Sequence, residues 1–393
     1  MIMTITVYPV TASFAAEIGE VDLSEQVAPA DLQAIKEAFT QYAVLIFPNQ
    51  LLSQEQHLDF GRHFGPLETT IGVYRKDAPM RLRKEFADVS NLNHDNKVWG
   101  KESRLRLFQL GNRLWHTDSS FKRLPALASL LYARSIPPIG GHTEFADERA
   151  AYDALPEETK LCLNCLVAEH SIFNSRARLG FTNFSDEERR EMPPVPQVVV
   201  RTIPESGRKS LYLASHAGLI FGMPENEGRA LIDQLIAHAT QRQFIYTHRW
   251  RVNDLIMWDN RCTMHRGTEF DDLRWKRDVQ RATASDIAKF LRAGRYRDRG
   301  RVATPRKFQP PSARAAVGWT ESSIHRANRG QGRPLRILGA PAALPTLDFR
   351  LRASKTNDSL TNGVMRTFAI WRFWFARHRS YQRFGGYAVR AAI

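Results

Sequence analysis

His116 and Asp118, in Leu-Trp-His-Thr-Asp-Ser-Ser-Phe (114–121), and His265, in Met-Trp-Asp-Asn-Arg-Cys-Thr-Met-His-Arg (257–266), could together hold a metal ion. Two imidazoles and one carboxylate are the donor set of a non-haem Fe(II) centre, and they leave one face of an octahedral ion open. The spacing works if 114–121 is a strand, because strand residues i and i+2 project to one face. A distant strand must then supply His265. The chain carries its own contrast in His57 and Asp59, within 53–65. There Ser53 and Gln56 have the spacing of a helix capping box. On a helix, i and i+2 lie on roughly opposite faces, so this pair cannot chelate and is expected on a solvated face.

Other residues keep the first pair company. Pro137-Pro138-Ile139-Gly140-Gly141-His142-Thr143-Glu144-Phe145 reads as a Gly-Gly turn entering a strand, which would put the Thr143 hydroxyl near a site built on adjacent strands. Arg277 and Arg281 follow His265, four residues apart. A helix would stack them as neighbours, and a strand would put both on one face. In either case two guanidiniums can converge beyond the metal, which suits carboxylates gripped by the planar fork.

The order His-x-Asp, Thr, His, Arg, Arg resembles the Fe(II)/2-oxoglutarate-dependent dioxygenases of the taurine dioxygenase family, and within it the branch acting on 2,4-dichlorophenoxyacetate. Further matching segments are Ala-Ala-Tyr-Asp-Ala-Leu-Pro (150–156), Asn-Ser-Arg (174–176), Met-Pro-Pro-Val (192–195), Ser-Gly-Arg-Lys (206–209), His-Ala-Thr-Gln-Arg-Gln-Phe (238–244) and Arg-Ala-Thr (281–283). The likeness runs from about residue 5 to 288. It implies that His116, Asp118 and His265 hold iron. It implies that Thr143 and Arg277 bind 2-oxoglutarate in a pocket lined by Trp258, with Arg274 as the alternative to Arg277. It gives Arg281 the acidic group of the substrate, places His216 toward the substrate ether, and makes Lys97 a further candidate for that pocket. The implied reaction is oxidation of an aryloxyacetate-type acid to a phenol and glyoxylate, with 2-oxoglutarate and dioxygen consumed and succinate and carbon dioxide released. A sulfonate or an aryloxypropionate is the alternative substrate. The alternative of another class is a basic nucleic-acid or membrane-surface binder with a degenerate dioxygenase body, against which the intact trio argues.

Composition narrows the remaining classes. Three cysteines are too few for a disulfide framework, and Cys162-x-x-Cys165, lying in a helical pattern over 157–168, is expected to be buried helix packing. The first residues lack a basic segment followed by an apolar run, and no stretch of 18 apolar residues occurs, so a cytoplasmic protein is expected. The net charge of +15 is unevenly spread. Residues 289–393 hold 22 Lys and Arg against 4 Asp and Glu, leaving 34 and 37 for the rest. The body is near neutral, and the basicity belongs to the tail.

Helices are expected at 31–42, 53–65, 147–154, 157–168 and 226–238. Strands are expected at 43–47, 114–121, 127–133, 143–146, 197–203, 210–213, 243–248, 254–258 and 279–285, with an irregular loop region over 67–110. Many strands with a few helices fit a mainly β fold with flanking helices, a double-stranded β-helix or jelly roll. Two regions follow: a dioxygenase domain over 1–288 and a disordered Arg-rich tail over 289–393. Within the tail, 364–377 is basic and aromatic, the one piece suited to an anionic surface. Nucleic acid is not expected as a partner, and a homo-oligomer is left open.

Overall fold

Alternate residues of the central strands face two different cores, which is what a sheet covered on both sides requires. Leu45, Phe47, Leu130, Tyr132, Leu255 and Met257 pack with Ile35, Phe39 and Phe60 on one side. Their neighbours Val44, Ile46, Leu131, Ala133, Ile256 and Trp258 pack with Phe145 on the other. The computed structural model describes residues 5–69 and 80–287. The tail expected over 289–393, with its 364–377 segment, lies outside the described residues.

In chain order the first elements are β1 (Thr6–Pro9), β2 (Ala15–Gly19), α1 (Pro29–Tyr42), β3 (Val44–Phe47), α2 (Gln54–Arg62), β4 (Phe86–Asp88), α3 (Arg104–Gln109), β5 (Ala126–Ser135) and β6 (Thr143–Asp147). Next come α4 (Glu148–Asp153), α5 (Glu157–Leu163), β7 (Val167–His170), α6 (Ile172–Ala177), α7 (Asp186–Glu191), β8 (Val195–Val198) and β9 (Val200–Thr202). The series ends with β10 (Lys209–Leu211), β11 (Ala217–Ile220), α8 (Glu225–Ala239), β12 (Ile245–His248), β13 (Leu255–Asp259), β14 (Thr263–Gly267) and β15 (Asp278–Ser285). The large sheet has the order β1-β2-β3-β13-β5-β15-β4, and a small sheet β12-β6-β14 carries Phe145 against its inner face. Helices α1 and α2 cover the outer face, with Ile35, Phe39 and Phe60 as anchors. This is the expected mainly β sandwich with flanking helices. Among the described residues, no helix is long and apolar enough to cross a membrane.

Several expectations need correction. Residues 114–121 are not a strand: His116 makes a single bridge to His265, and a turn follows in which Ser119 has a φ of 53°. The Ser53–Gln56 capping box forms as expected, but His57 is not on a solvated face. It is fully buried between the rings of Phe86 and Tyr132, while Asp59 on the opposite side is exposed. The expected helix 157–168 ends at Leu163, because Val167–His170 pairs with β8 and β11 instead. Cys165 therefore lies beyond the helix and is exposed, so the cysteine pair is not buried packing. The expected strand 197–203 is split at Val199 between two small sheets.

Candidate active site

His116, Asp118 and His265 come together although only His265 sits on a regular strand. The bridge is made by His265 N donating to His116 O (2.8 Å) and His116 N donating to His265 O (3.0 Å), which fixes the two imidazoles side by side. Their ring centroids are 4.2 Å apart. Asp118 reaches the same point from the turn. Its Oδ1 lies 3.8 Å from His116 Nε2 and its Oδ2 3.7 Å from His265 Nε2. One ligand atom from each of the three lies within 4.8 Å of the others, and all three residues are buried.

The supporting shell is a closed hydrogen-bonded ring. Trp258 Nε1 and Asp118 N both donate to Asn260 Oδ1 (3.0 and 3.2 Å). Asn260 Nδ2 donates to Ser129 Oγ (2.9 Å), and Ser129 Oγ donates to Asp118 Oδ2 (2.7 Å). The left-handed Ser119 is held by its hydroxyl, which donates to Glu68 (2.6 Å), as does Lys122 (2.6 Å). His116 Nδ1 lies 2.7 Å from the Leu114 carbonyl. A carbonyl only accepts, so Nδ1 carries the proton and Nε2 presents its lone pair to the trio.

The electrostatics suit a cation. Burial pulls His116 down to about 4, although the Asp118 charge opposes the shift. Burial, with His116 beside it, pushes His265 well below its ordinary value. Burial alone would raise Asp118, but the Arg281 guanidinium and the two imidazoles hold it below the usual carboxylate range. At neutral pH the site thus offers two neutral imidazoles and one carboxylate, the deprotonated donor set that Fe(II) needs.

The two arginines differ sharply. Both are on the inner-facing positions of β15 and its lead-in, the strand alternative left open by their spacing. Arg281 Nη1 donates to Asp118 Oδ1 and faces the cavity. Arg277 is buried, donates by Nη1 to the Val89 carbonyl (3.2 Å), and has no acidic partner among the described residues. Burial lowers its guanidinium to about 10, so it stays charged at neutral pH. A buried cation with no acidic partner among the described residues is costly, and an anionic ligand would offset that cost. Arg274, the alternative, is exposed and its guanidinium lies over the Trp275 ring. Thr143 is buried, with its hydroxyl accepting from Trp250 Nε1 (3.0 Å). It shares a face of β6 with Phe145, whose ring stacks on His265 at 6.2 Å. Trp258 is fully buried, 4.6 Å from the His265 ring.

A cavity of about 200 Å³ opens onto His116, Asp118, His216 and Arg281. Its other walls combine the apolar and aromatic Leu92, Trp99, Phe108, Phe121 and Ile172 with charged residues that include Glu68, Arg81, Asp88, Lys122 and Arg176. Lys97 is not brought there: it is exposed in a turn and does not line the cavity. Sequence reasoning assigned nothing to Ser129, Asn260 or Arg176. Asn260 and Arg176 do stand inside the matching segments quoted above. Ser129, mid-strand in β5, gives no signal of its own.

Comparison with known proteins agrees with this geometry. Residues 6–283 match the family model described as Taurine catabolism dioxygenase TauD, TfdA family. An alpha-ketoglutarate-dependent 2,4-dichlorophenoxyacetate dioxygenase of Cupriavidus pinatubonensis is 44% identical over 287 residues, 73% of this chain and 99% of that protein. An (S)-phenoxypropionate/alpha-ketoglutarate-dioxygenase of Sphingobium herbicidovorans is 36% identical, covering 71% of this chain and 96% of that one. The crystal structure of AAD-2 in complex with Mn(II) and N-oxalylglycine is similar with a TM-score of 0.66 and 46% identity, covering 72% of this chain and 97% of that chain.

Proposed function

The chain belongs to the TauD/TfdA dioxygenase family, and we propose that it oxidises an aryloxyacetate-type acid, resembling 2,4-dichlorophenoxyacetate, to a phenol and glyoxylate. Membership makes it an oxidoreductase that uses Fe(II), 2-oxoglutarate and dioxygen. In this reading His116, Asp118 and His265 hold the iron. Arg277 and Thr143 hold 2-oxoglutarate, with Trp258 against them. Bound iron and 2-oxoglutarate supply the dioxygen-dependent oxidation of a C–H bond, with release of succinate and carbon dioxide.

The chain's own residues do the rest by placement. Arg281 takes the substrate carboxylate at the metal end of the cavity, and the aromatic and aliphatic walls take the aryl ring. An acid held at one end and a ring at the other leave the intervening methylene facing the trio. Hydroxylation of that carbon gives a hemiacetal, which collapses to the phenol and glyoxylate.

The observation that carries this reading is the Arg281 guanidinium, held at Asp118 on the edge of the trio, in a cavity whose walls include Leu92, Trp99, Phe108, Phe121 and Ile172. The 44% identity to a 2,4-dichlorophenoxyacetate dioxygenase supports the aryloxyacetate. The 36% identity to a phenoxypropionate dioxygenase favours the aryloxypropionates as the second reading. Succinate release across aryloxyacetates, both enantiomers of aryloxypropionates, and taurine tests it. The aryloxyacetates are expected to give the highest kcat/KM; a panel led by taurine would sink the proposal.

A further inference from the structure

We propose that Ser175 fixes His216 as a hydrogen-bond acceptor on the cavity wall, so that the site prefers an acid bearing a hydroxyl beside its carboxylate to the same acid without one. The preference rests on the reading above that an acidic aryl compound binds here; the acceptor assignment does not.

His216 is buried on the cavity wall, with its ring 4.9 Å from that of Phe121 and 6.0 Å from that of His116. Helix α6 grips its segment: Ser171 N and Asn174 Nδ2 both donate to the His216 carbonyl (2.9 and 3.2 Å). The ring itself is held by Ser175, whose Oγ lies 2.9 Å from His216 Nδ1. That oxygen has two further neighbours. Arg176 Nη1 lies at 3.0 Å and the Ile172 carbonyl at 2.9 Å.

Counting protons leaves one arrangement. A hydroxyl has one proton to give and two lone pairs. Arg176 only donates, so it takes one lone pair. The Ile172 carbonyl only accepts, so it takes the proton; otherwise two oxygens would face each other at 2.9 Å with no proton between them. Ser175 Oγ can therefore only accept from His216 Nδ1. The neutral ring is protonated at Nδ1, and Nε2 is left as a lone pair with no partner among the described residues.

An ether oxygen has no proton for that lone pair, and neither does a methylene. The hydroxyl that the oxidation installs beside the carboxylate does. His216 is thus matched to the hydroxylated compound rather than to the substrate, and Ser175 and Arg176 are positioning residues that act through it.

The test uses two acids in which a methylene replaces the ether oxygen, so that no C–O bond can break. These are 3-(2,4-dichlorophenyl)propionate and 3-(2,4-dichlorophenyl)lactate, titrated calorimetrically into the full chain loaded with Mn(II) and 2-oxoglutarate. The hydroxy acid is expected to bind about fivefold more tightly, the size of one net hydrogen bond. Ser175→Ala and His216→Phe should bring the ratio to about one, and Ser175→Thr should retain it. Long-range ¹H–¹⁵N spectra should show His216 protonated at Nδ1 and bare at Nε2. Equal affinity for the two acids, or a preference that survives Ser175→Ala, overturns the preference. A proton on Nε2 overturns the acceptor assignment. If neither acid binds while the spectrum shows a bare Nε2, the substrate reading fails and the acceptor stands.

Discussion

Arg281 donates to Asp118 Oδ1, so the guanidinium assigned to the substrate acid already holds the carboxylate of the metal trio. Asp118 Oδ1 is also 3.8 Å from His116 Nε2, within the space a metal would share. The cation therefore has two clients. An acid that draws Arg281 away returns charge to Asp118 and tightens metal binding, and linkage makes the effect reciprocal. 2,4-Dichlorophenoxyacetate is expected to raise Mn(II) affinity about fivefold or more, within the usual range of such couplings. Arg281→Met should remove that dependence. Metal titrations with and without the acid decide it; an affinity that ignores the acid would show that Arg281 does not connect the two sites.

The trio itself gives the plainest expectation. His116→Ala, Asp118→Ala or His265→Ala should abolish Fe(II)-dependent turnover and metal binding, because no other His, Asp, Glu or Cys cluster among the described residues offers a substitute. The helical and strand signal in circular dichroism should be retained. Undiminished turnover in any one variant removes that residue from the ligand set.

Arg277 and Arg281 should separate in kinetics. Arg277 is buried without an acidic partner among the described residues, whereas Arg281 borders the cavity. Arg277→Ala is expected mainly to raise the KM for 2-oxoglutarate, and Arg281→Ala that for the aromatic acid. Losing one partner of a buried ion pair typically costs about 3–5 kcal/mol, so both effects should exceed tenfold. Arg274→Ala, exposed on Trp275, should be close to neutral. Steady-state KM values for the two substrates settle the assignment; two variants that both weaken only 2-oxoglutarate would contradict the role given to Arg281.

Much of the site was legible because its chemistry is written in residue type and order. The trio, and Arg281 which the structure brings onto Asp118, were picked out that way, and strand periodicity placed β5, β6, β13 and β15 to within a few residues. The reason given for Asp118 was nevertheless wrong in detail. A tight turn around the left-handed Ser119 aims it, and such a backbone state leaves no mark in an alternation pattern. Short elements such as β7 and α6 escaped because a few residues carry too little periodicity to read. His57 was misjudged for a different reason: one face of α2 packs on the sheet, and only the tertiary structure says which.

His57 also makes stability depend on pH. Its Nε2 lies 3.2 Å from the Leu130 carbonyl and its Nδ1 3.3 Å from Gln280 Nε2, an arrangement that satisfies one neutral tautomer. Burial lowers its pKa from 6.5 to about 3. Below pH 6.5 the unfolded chain takes a proton that the folded protein refuses, so stability is lost as pH falls from about 6.5 toward 3. One such group contributes a slope of about 1.4 kcal/mol per pH unit inside that window. Urea unfolding of wild type and His57→Phe between pH 4 and 7.5 should show a slope smaller by about that amount in the variant. Parallel slopes would mean that His57 is protonated in the folded state or not buried as described.

The Arg-rich segment should be dispensable for catalysis: a chain ending after Ile287 is expected to keep its fold and its dioxygenase activity. The family match spans 6–283, and β15 completes its pairing with β5 at Ser285. His265, Arg277 and Arg281 all precede that point. Residues 289–393 carry 22 basic against 4 acidic side chains, a charge excess that works against burial on a body whose 34 basic and 37 acidic groups nearly balance. Nor do they show the alternating apolar pattern that would let them add strands to the sandwich. Truncated and full-length proteins are to be compared by thermal melting and by succinate yield at matched iron loading. Equal melting temperatures and yields place the whole catalytic machinery before residue 288. A truncated chain that is insoluble or inactive beside a working full chain would show that the segment packs on the body, and would move the domain boundary beyond 288.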